Sequence, residues 1–164
     1  MPRKCFVTEA LVLLTFSTVT FGDRKLFNPN LAPLAKISAS SENLVRRKYY
    51  AKNVADGYIP VENQGFADRG LKQTVWCVHG AKDGNNSGWI RFDWPEAVKV
   101  REIVYFGNSV WTLDELWKDY EVYIGDSNRP VAKGTFAKRS APQSIVLDRI
   151  YKTSSLTLRF KSSY

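Results

Sequence analysis

Trp89-Ile90-Arg91-Phe92-Asp93-Trp94 alternates apolar and charged side chains along most of its length. Successive side chains of a β-strand point to opposite faces, so Ile90, Phe92 and Trp94 share one face and the two charged residues share the other. This pattern suits an antiparallel sheet that covers a core with one face and meets water with the other. The stretch therefore predicts a half-buried antiparallel strand.

The same alternation recurs toward the C-terminus in short runs separated by turn-forming residues. These runs cover residues 98–107, 120–124, 131–137, 145–147 and 156–160. Pro95 has no N–H to donate to a ladder, so the first strand is predicted to end there and the next to begin at Val98. The turn residues 125–130 predict a hairpin between the strands that flank them. Runs of this kind predict an all-β sandwich or barrel.

Length and composition indicate one soluble domain. The chain has 164 residues, of which 44% are hydrophobic and 24% are charged, which is an ordinary size and composition for a single core. No apolar run reaches the roughly 18 residues that a membrane-spanning helix needs. The alternation places Trp76, Trp89 and Trp94 in the core, and Trp117 is also expected to pack inward. The net charge of +8 favours acidic partners without identifying one.

The first 22 residues have the plan of a secretory signal. A short basic start is followed by an apolar stretch that gives way to polar residues at Asp23. The alternatives for this segment are a buried N-terminal strand and a short membrane anchor. Removal of residues 1–22 would take away Cys5, so the exported domain, residues 23–164, is expected to carry Cys77 as a single thiol without an internal bridge.

Six short motifs follow one another along residues 30–161. They are Asn30-Leu31-Ala32, Ile37-Ser38-Ala39-Ser40-Ser41-Glu42, Ala51-Lys52-Asn53-Val54-Ala55-Asp56-Gly57, Thr74-Val75-Trp76, Gly88-Trp89-Ile90-Arg91-Phe92-Asp93 and Asp119-Tyr120-Glu121-Val122-Tyr123-Ile124. In this order they resemble the discoidin or coagulation-factor type C family. That family belongs to the galactose-binding-like jelly rolls and includes the family-32 carbohydrate-binding modules. The resemblance implies an eight-stranded antiparallel jelly-roll β-sandwich with ligand-contacting loops at one end.

Two features depart from the family pattern. The chain stops at Tyr164, before the segment that closes the family's domain, so the domain is expected to be C-terminally truncated, with an exposed edge beside a core strand. The segment between Asp56 and Thr74 is longer than the turn usual in the family. The family's loop geometry is therefore not transferred to this chain.

The resemblance also implies a structural calcium ion. In the family the ligands are carbonyl oxygens around a turn, an Asp carboxylate and a later Thr, and these positions match Asn53, Asp56 and Thr74. Calcium binds several oxygen ligands, and a late Glu that often completes the family's set has no counterpart here. The alternative is that Asp56-Gly57 forms a plain turn, because both residues favour turns without any metal.

Sugar recognition requires an aromatic ring for the apolar face of the pyranose and a few donors and acceptors for its hydroxyl groups. The candidate ligand-binding residues in the predicted loops are Trp111, Asn108, His79, Arg47 and Tyr58. Gly107-Asn108 stands where related modules commonly have an arginine, so a typical galactose site is not expected. Trp111 has an alternative place in the core, because most tryptophans are largely buried.

Catalysis is not predicted from these residues. Cys77 and His79 would share one face of a strand, but a nucleophilic pair also needs an orienting group and an oxyanion site. A single histidine excludes a multi-histidine metal centre. Arg46-Arg47-Lys48-Tyr49-Tyr50 joins positive charge to aromatic rings, which suits an anionic surface, although a solvated loop is the simpler interpretation.

These features predict a secreted, non-catalytic module that recognises a glycan or another cell-surface ligand through its end loops, as an accessory part of a larger multidomain protein. The alternative is an adhesion domain that binds a protein or an anionic phospholipid membrane through the basic loop around Arg46. A third hypothesis is a structural domain of a multidomain enzyme. Nucleic acid is not expected as a partner, because export separates the protein from most of it.

Overall fold

A computed structural model describes residues 5–9, 30–44, 49–56, 76–79, 87–107, 116–139 and 141–164. The strands are β1 (Cys5–Glu9), β2 (Lys36–Ala39), β3 (Trp76–His79), β4 (Gly88–Gly107), β5 (Asp119–Ile124), β6 (Ala132–Thr135) and β7 (Gln143–Phe160). Two short 3-10 helices, Ala32–Leu34 and Ala51–Ala55, flank β2. Within these described ranges, the helices are too short to cross a membrane.

The strand pairings confirm the predicted antiparallel β-sandwich. The order is β3-β1-β4-β7-β5-β6, and β2 pairs with β4. Each of the described strand pairs is antiparallel. The described part of the chain contains seven strands, where the resemblance implied eight. The two longest strands, β4 and β7, pair with each other and form the central ribbon.

This ribbon bends, so that it covers the core from two sides. A straight strand of 20 residues would be about 65 Å long. Gly88 at the start of β4 nevertheless pairs with Phe160, and the ring of Tyr105, near the other end of β4, lies 6.1 Å from the Phe160 ring. The pairing with β7 is irregular between Asp93 and Val98 and between Val100 and Glu102. The ribbon therefore folds over in this region, which we call the bend.

Two predictions about these strands are wrong for a related reason. β4 continues through Pro95, because pairing is already interrupted at the bend and the missing N–H breaks no ladder hydrogen bond there. The runs 145–147 and 156–160 belong to one strand, β7. Odd-numbered apolar residues, Ile145 and Leu147, are buried before the bend, and the even-numbered Leu156 is buried after it. Because the alternation changes from odd to even positions at the bend, the sequence pattern looks like two separate strands.

The core contains the apolar residues that alternation selected, with one exception. Ile90, Phe92 and Trp94 are buried, as are Trp76 and Trp117. Trp89 was predicted to lie in the core, but it is only half-buried. It lies between the buried residues Gly88 and Ile90, so its side chain points to the outer face of the sheet with the charged residues of the same strand.

The predicted hairpin after β5 is confirmed. β5 pairs with β6 from Asp119, opposite Thr135, to Val122, opposite Ala132. Gly125 in the connecting turn has a φ of 61°, a left-handed conformation that glycine adopts without a side-chain penalty. Its N–H donates to the carbonyl oxygen of Ser155 at 2.9 Å, which ties the turn to β7.

Strand β7 is paired along both of its edges at its C-terminal end. Leu158 lies opposite Ile90 on one side and opposite Val122 on the other. The pairing with β5 covers residues 156–160, whereas the pairing with β4 extends back to Gln143. The exposed edge that the sequence predicted beside a core strand is therefore not found at residues 156–160, where two neighbours protect the backbone groups from pairing with another chain.

Residues 5–9, near the N-terminus, form part of the sheet. Strand β1 pairs with β3 and with the end of β4. This agrees with the alternative of an N-terminal strand. The secretory signal stays a prediction. Cys77 is disulfide-bonded in the intact chain, whereas the expectation of a single thiol without a bridge concerns the chain after removal of residues 1–22 and stays a prediction. Cys5 is the other cysteine of the sequence. Removal of residues 1–22 would eliminate Cys5, so this removal and an internal bridge exclude each other in one molecule.

Candidate ligand-binding end

The ends of strands β3 and β4 lie close together around Trp117, on the side of the sandwich opposite the bend. The ring centroids of Trp76 and Trp117 are 6.4 Å apart. A Cβ at Gly88 would lie 3.6 Å from the Trp117 ring, and a Cβ at Gly107 would lie 2.7 Å from the Leu116 side chain. Three segments join the described chain near these residues: 57–75, 80–86 and 108–115. We call this side of the sandwich the loop end.

Packed aromatic rings form the base of the loop end. The Phe160 ring lies 4.8 Å from the Trp117 ring and nearly parallel to it, with 13° between the planes. The rings of Trp76 and Tyr105 lie 6.0 and 6.1 Å from Phe160. The Tyr105 hydroxyl accepts a hydrogen bond from the Trp117 N–H at 3.3 Å. Rings contributed by β3, β4, β7 and the segment before β5 thus fix the strand ends relative to one another.

Two glycines permit this close approach of strands. A Cβ at Gly88 would lie 2.9 Å from the Val78 side chain, closer than carbon atoms normally pack, and the same holds for Gly107 against Leu116. A larger residue at either position would require the neighbouring Val78 or Leu116 side chain to shift. The two glycines therefore allow these apolar side chains to pack directly against the backbone of β4.

The predicted ligand-binding residues fall almost entirely outside the described part of the chain. Those outside it are Arg47, Tyr58, Asn108 and Trp111. His79 is the last residue of β3, and its backbone pairs with that of Cys5. The structure thus identifies where the segments that hold Tyr58, Asn108 and Trp111 join the fold, and the roles of the five residues stay predictions.

Two of the three predicted calcium ligands lie in the described chain, and Thr74 lies outside it. Asn53 belongs to the 3-10 helix Ala51–Ala55 and is 8% exposed, and the exposed Asp56 follows this helix directly. Residues three apart in a 3-10 helix share a face, so the two side chains begin on the same side. Their amide and carboxylate oxygens have the chemistry that calcium prefers. Among the described residues, no cluster of three or more His, Cys, Asp or Glu could hold a metal ion.

A group of residues beside the loop end, formed by Lys118, Lys138 and Tyr164, was not predicted from the sequence. The Tyr164 N–H donates to the Leu116 carbonyl oxygen at 3.1 Å, and the Tyr164 hydroxyl donates to the Phe136 carbonyl oxygen. The Nζ atoms of Lys118 and Lys138 each lie 5.6 Å from the centroid of the Tyr164 ring. No periodic pattern joins these residues in the sequence, so only the folded chain reveals the group.

The carboxylate that follows Lys118 in the sequence is already engaged by hydroxyl groups. Asp119 accepts hydrogen bonds from the Ser162 hydroxyl at 2.6 Å and from the Thr135 hydroxyl at 2.7 Å. The bond from Ser162 lowers the pKa of Asp119 most, followed by the bond from Thr135, and the charge of Lys118 acts in the same direction. Both carboxylate oxygens of Asp119 therefore have a donor within the fold.

Comparison with known proteins gives matches at the level of structure. No family model and no curated protein matches the chain. The structure is similar to CpGH89CBM32-5 from Clostridium perfringens, solved in complex with GalNAc-beta-1,3-galactose. The TM-score is 0.61 at 17% identity, over 80% of this chain and 87% of that chain.

Two other solved structures show the same likeness. The family 32 CBM of Clostridium perfringens NanJ, in complex with galactose, has a TM-score of 0.58 and 15% identity over 80% of this chain and 85% of that chain. A fucolectin from Morone saxatilis serum has a TM-score of 0.59 and 20% identity over 82% of this chain and 44% of that chain. At these identities the comparisons show the fold, which is galactose-binding-like.

Proposed function

We propose that the protein is a non-catalytic, extracellular module that binds a glycan at its loop end, as an accessory part of a larger protein. The observation that carries this proposal is the likeness of the whole sandwich to two domains solved with bound sugars, one with GalNAc-beta-1,3-galactose and one with galactose. Both likenesses extend over most of each chain. The sequence resemblance to carbohydrate-binding modules supports the same function independently.

The architecture of the loop end supports this proposal. The segments with the candidate residues Tyr58, Asn108 and Trp111 join strand ends that packed aromatic rings hold in place. A fixed base lowers the entropy lost when loops order around a ligand. An aromatic ring in such a loop covers the apolar face of a pyranose, and polar side chains bind its hydroxyl groups. A shallow site of this kind binds a single sugar weakly.

The Trp111→Ala variant is expected to bind glycans at least about tenfold more weakly, because a tryptophan at the centre of a binding site carries a large share of the affinity. Screening the wild-type protein on a glycan array identifies the sugar, and titration calorimetry of both proteins with that sugar measures the loss. The Tyr151→Ala variant is the control, since Tyr151 pairs with Val100 at the bend, away from the loop end. It should bind like the wild-type protein.

The opposite outcomes separate this proposal from the adhesion alternative. The adhesion alternative predicts that the protein binds no glycan on the array and binds anionic liposomes in a salt-sensitive way. The Arg46→Gln/Arg47→Gln variant should then lose the liposome binding. These results together would contradict glycan binding and support membrane adhesion. Equal weakening by Trp111→Ala and Tyr151→Ala would contradict a site at the loop end.

Calcium binding at Asn53, Asp56 and Thr74 is part of the same proposal. Asn53 and Asp56 begin on one side of a short 3-10 helix, with the amide largely buried and the carboxylate exposed. An ion that these oxygens bind would hold the helix to the segment that contains Thr74. Its role would be to stabilise the domain, since calcium that binds only the folded state shifts the folding equilibrium toward that state.

Removal of calcium with EDTA is expected to lower the melting temperature by about 5–10 °C, relative to protein with calcium at about 100 times its Kd. The Asp56→Asn variant should lose this response because it lacks the charged ligand. The Asp148→Asn variant, altered at an exposed carboxylate on β7, should keep it. Differential scanning calorimetry measures all three proteins, and an unchanged response in Asp56→Asn would contradict the assigned site.

A further inference from the structure

We propose that β1 is a redox-sensitive closing strand: the disulfide at Cys77 locks β1 between β3 and β4, and reduction of this bond releases it. The proposal concerns the chain that retains residues 1–22. It goes beyond the proposed function, because the strands involved are β1, β3 and the end of β4, whichever ligand the loop end binds.

Strand β1 links β3 to the rest of the sheet. Four of its five residues pair with β3, and its last two residues pair with the end of β4. Among the described strands, β3 has no other strand partner. Thr8 lies opposite Trp76 on one side and opposite Gly107 on the other. The strand therefore holds the ends of β3 and β4 two strand spacings apart, which is about 10 Å.

Release of β1 exposes four backbone groups of β3. The Cys77 carbonyl oxygen accepts a hydrogen bond from the Asn43 N–H at 2.9 Å, so the backbone of Cys77 points away from β1. Neighbouring residues of a strand direct their N–H and C=O groups to opposite edges, so those of Trp76 and Val78 point toward β1, with which both residues pair. Backbone groups of this kind need a partner, and β1 supplies it.

The disulfide compensates for the small size of β1. A strand of five residues near a chain terminus makes few contacts, and such segments are among the first parts of a protein to open. Cys77 is disulfide-bonded, and Cys5 is the only other cysteine of the sequence. The bond therefore joins the first residue of β1 to β3 and keeps the strand beside its place whenever the pairing opens.

Reduction removes this tether. A dithiol such as dithiothreitol opens the bond by thiol–disulfide exchange: the bond takes up two electrons and two protons and becomes two thiols, and the dithiol becomes a cyclic disulfide. Cys77 is fully buried, so the dithiol reaches the bond only during a transient opening of β1. After reduction β1 has only non-covalent contacts, and the spacing between the ends of β3 and β4 is no longer fixed.

Hydrogen exchange of the full-length chain, resolved by NMR, tests this proposal. In the oxidised protein the amides of Trp76 and Val78 should be protected, because β1 covers them. Reduction should lower their protection at least about tenfold more than that of Ile90 and Leu158, which lie opposite each other on the two central strands. The Cys5→Ser variant should show the same pattern without any reductant.

A matched control separates the lock from a general loss of stability. Val122 is fully buried on β5, which β4 and β7 separate from β1 in the order of strands. Val122→Ala lowers the stability of the whole domain through a core cavity and leaves the disulfide intact. It should lower the protection of Ile90 and Leu158 at least as much as that of the two β3 amides.

Three outcomes would overturn the proposal. An equal loss of protection at the β3 amides and at Ile90 and Leu158 on reduction would make the bond a general stabiliser. Unchanged protection of the β3 amides in Cys5→Ser would show that β1 stays in place without the bond. Mass spectrometry that finds a purified chain beginning at Asp23 would show that the mature protein lacks β1. Glycan binding is tested separately by the array, so these outcomes leave the proposed function standing.

Discussion

The Phe160→Ala variant is expected to lower the free energy of unfolding by about 3–5 kcal/mol. Phe160 is fully buried, and its ring packs against Trp117, Trp76 and Tyr105 at centroid distances of 4.8, 6.0 and 6.1 Å. Truncation removes the ring that all three neighbours share and leaves a cavity that rigid aromatic side chains fill poorly. Urea unfolding, followed by tryptophan fluorescence and circular dichroism, measures the change.

The matched control lies on the same strand. Val146 is 60% exposed, so Val146→Ala should alter stability by no more than about 0.5 kcal/mol. If Phe160→Ala leaves too little stability to measure, Phe160→Leu should still lose about 1–2 kcal/mol. Equal effects of Phe160→Ala and Val146→Ala would contradict the bend, because the burial of Phe160 depends on the two ends of the β4–β7 ribbon closing over it.

Loss of the disulfide at Cys77 is the second large effect. In the chain that retains residues 1–22, Cys77→Ala should lower the free energy of unfolding by about 2–5 kcal/mol, because the bridge restricts the unfolded chain. Cys77 is fully buried and disulfide-bonded, so the bond is also shielded from reductants in the folded state. Urea unfolding under non-reducing conditions measures the loss.

Cys5→Ala provides the control, since Cys5 is the second cysteine of the sequence. Each single variant should cost about the same, and the double variant should cost little more than either one, because all three lack the same bond. Titration that finds two free thiols in the unfolded, unreduced chain would contradict the bridge. Mass spectrometry of the exported protein decides the fate of residues 1–22, since a chain that begins at Asp23 contains Cys77 alone.

The outcome at Trp89 shows how far a local pattern predicts burial. The alternation of residues 89–94 assigned Ile90, Phe92 and Trp94 to the core, and all three are buried. Trp89 was also assigned to the core on alternation, but it is adjacent to Ile90 in the strand and therefore points to the opposite, outer face. Phase in the strand decides which face a side chain occupies, and hydrophobicity decides only how well the residue suits that face.

The candidate site was predictable only in part. The sequence indicated loops with aromatic and polar side chains, and the fold places the attachment points of three such segments around Trp117. Lys118, Lys138 and Tyr164 did not emerge, since each belongs to a different polar stretch. Their meeting depends on the hydrogen bonds that join Tyr164 to Leu116 and to Phe136.

By itself the sequence determined the fold class, the strand faces and the hairpin after β5, because a period of two and a turn-forming segment act over a few neighbouring residues. The tertiary structure decided the continuity of β4 through Pro95, the fusion of two runs into β7 and the contacts of Lys118 and Lys138 with the Tyr164 ring. These features depend on which distant strands pair and where their register shifts. Packing of the whole core selects those pairings, and no local segment specifies them.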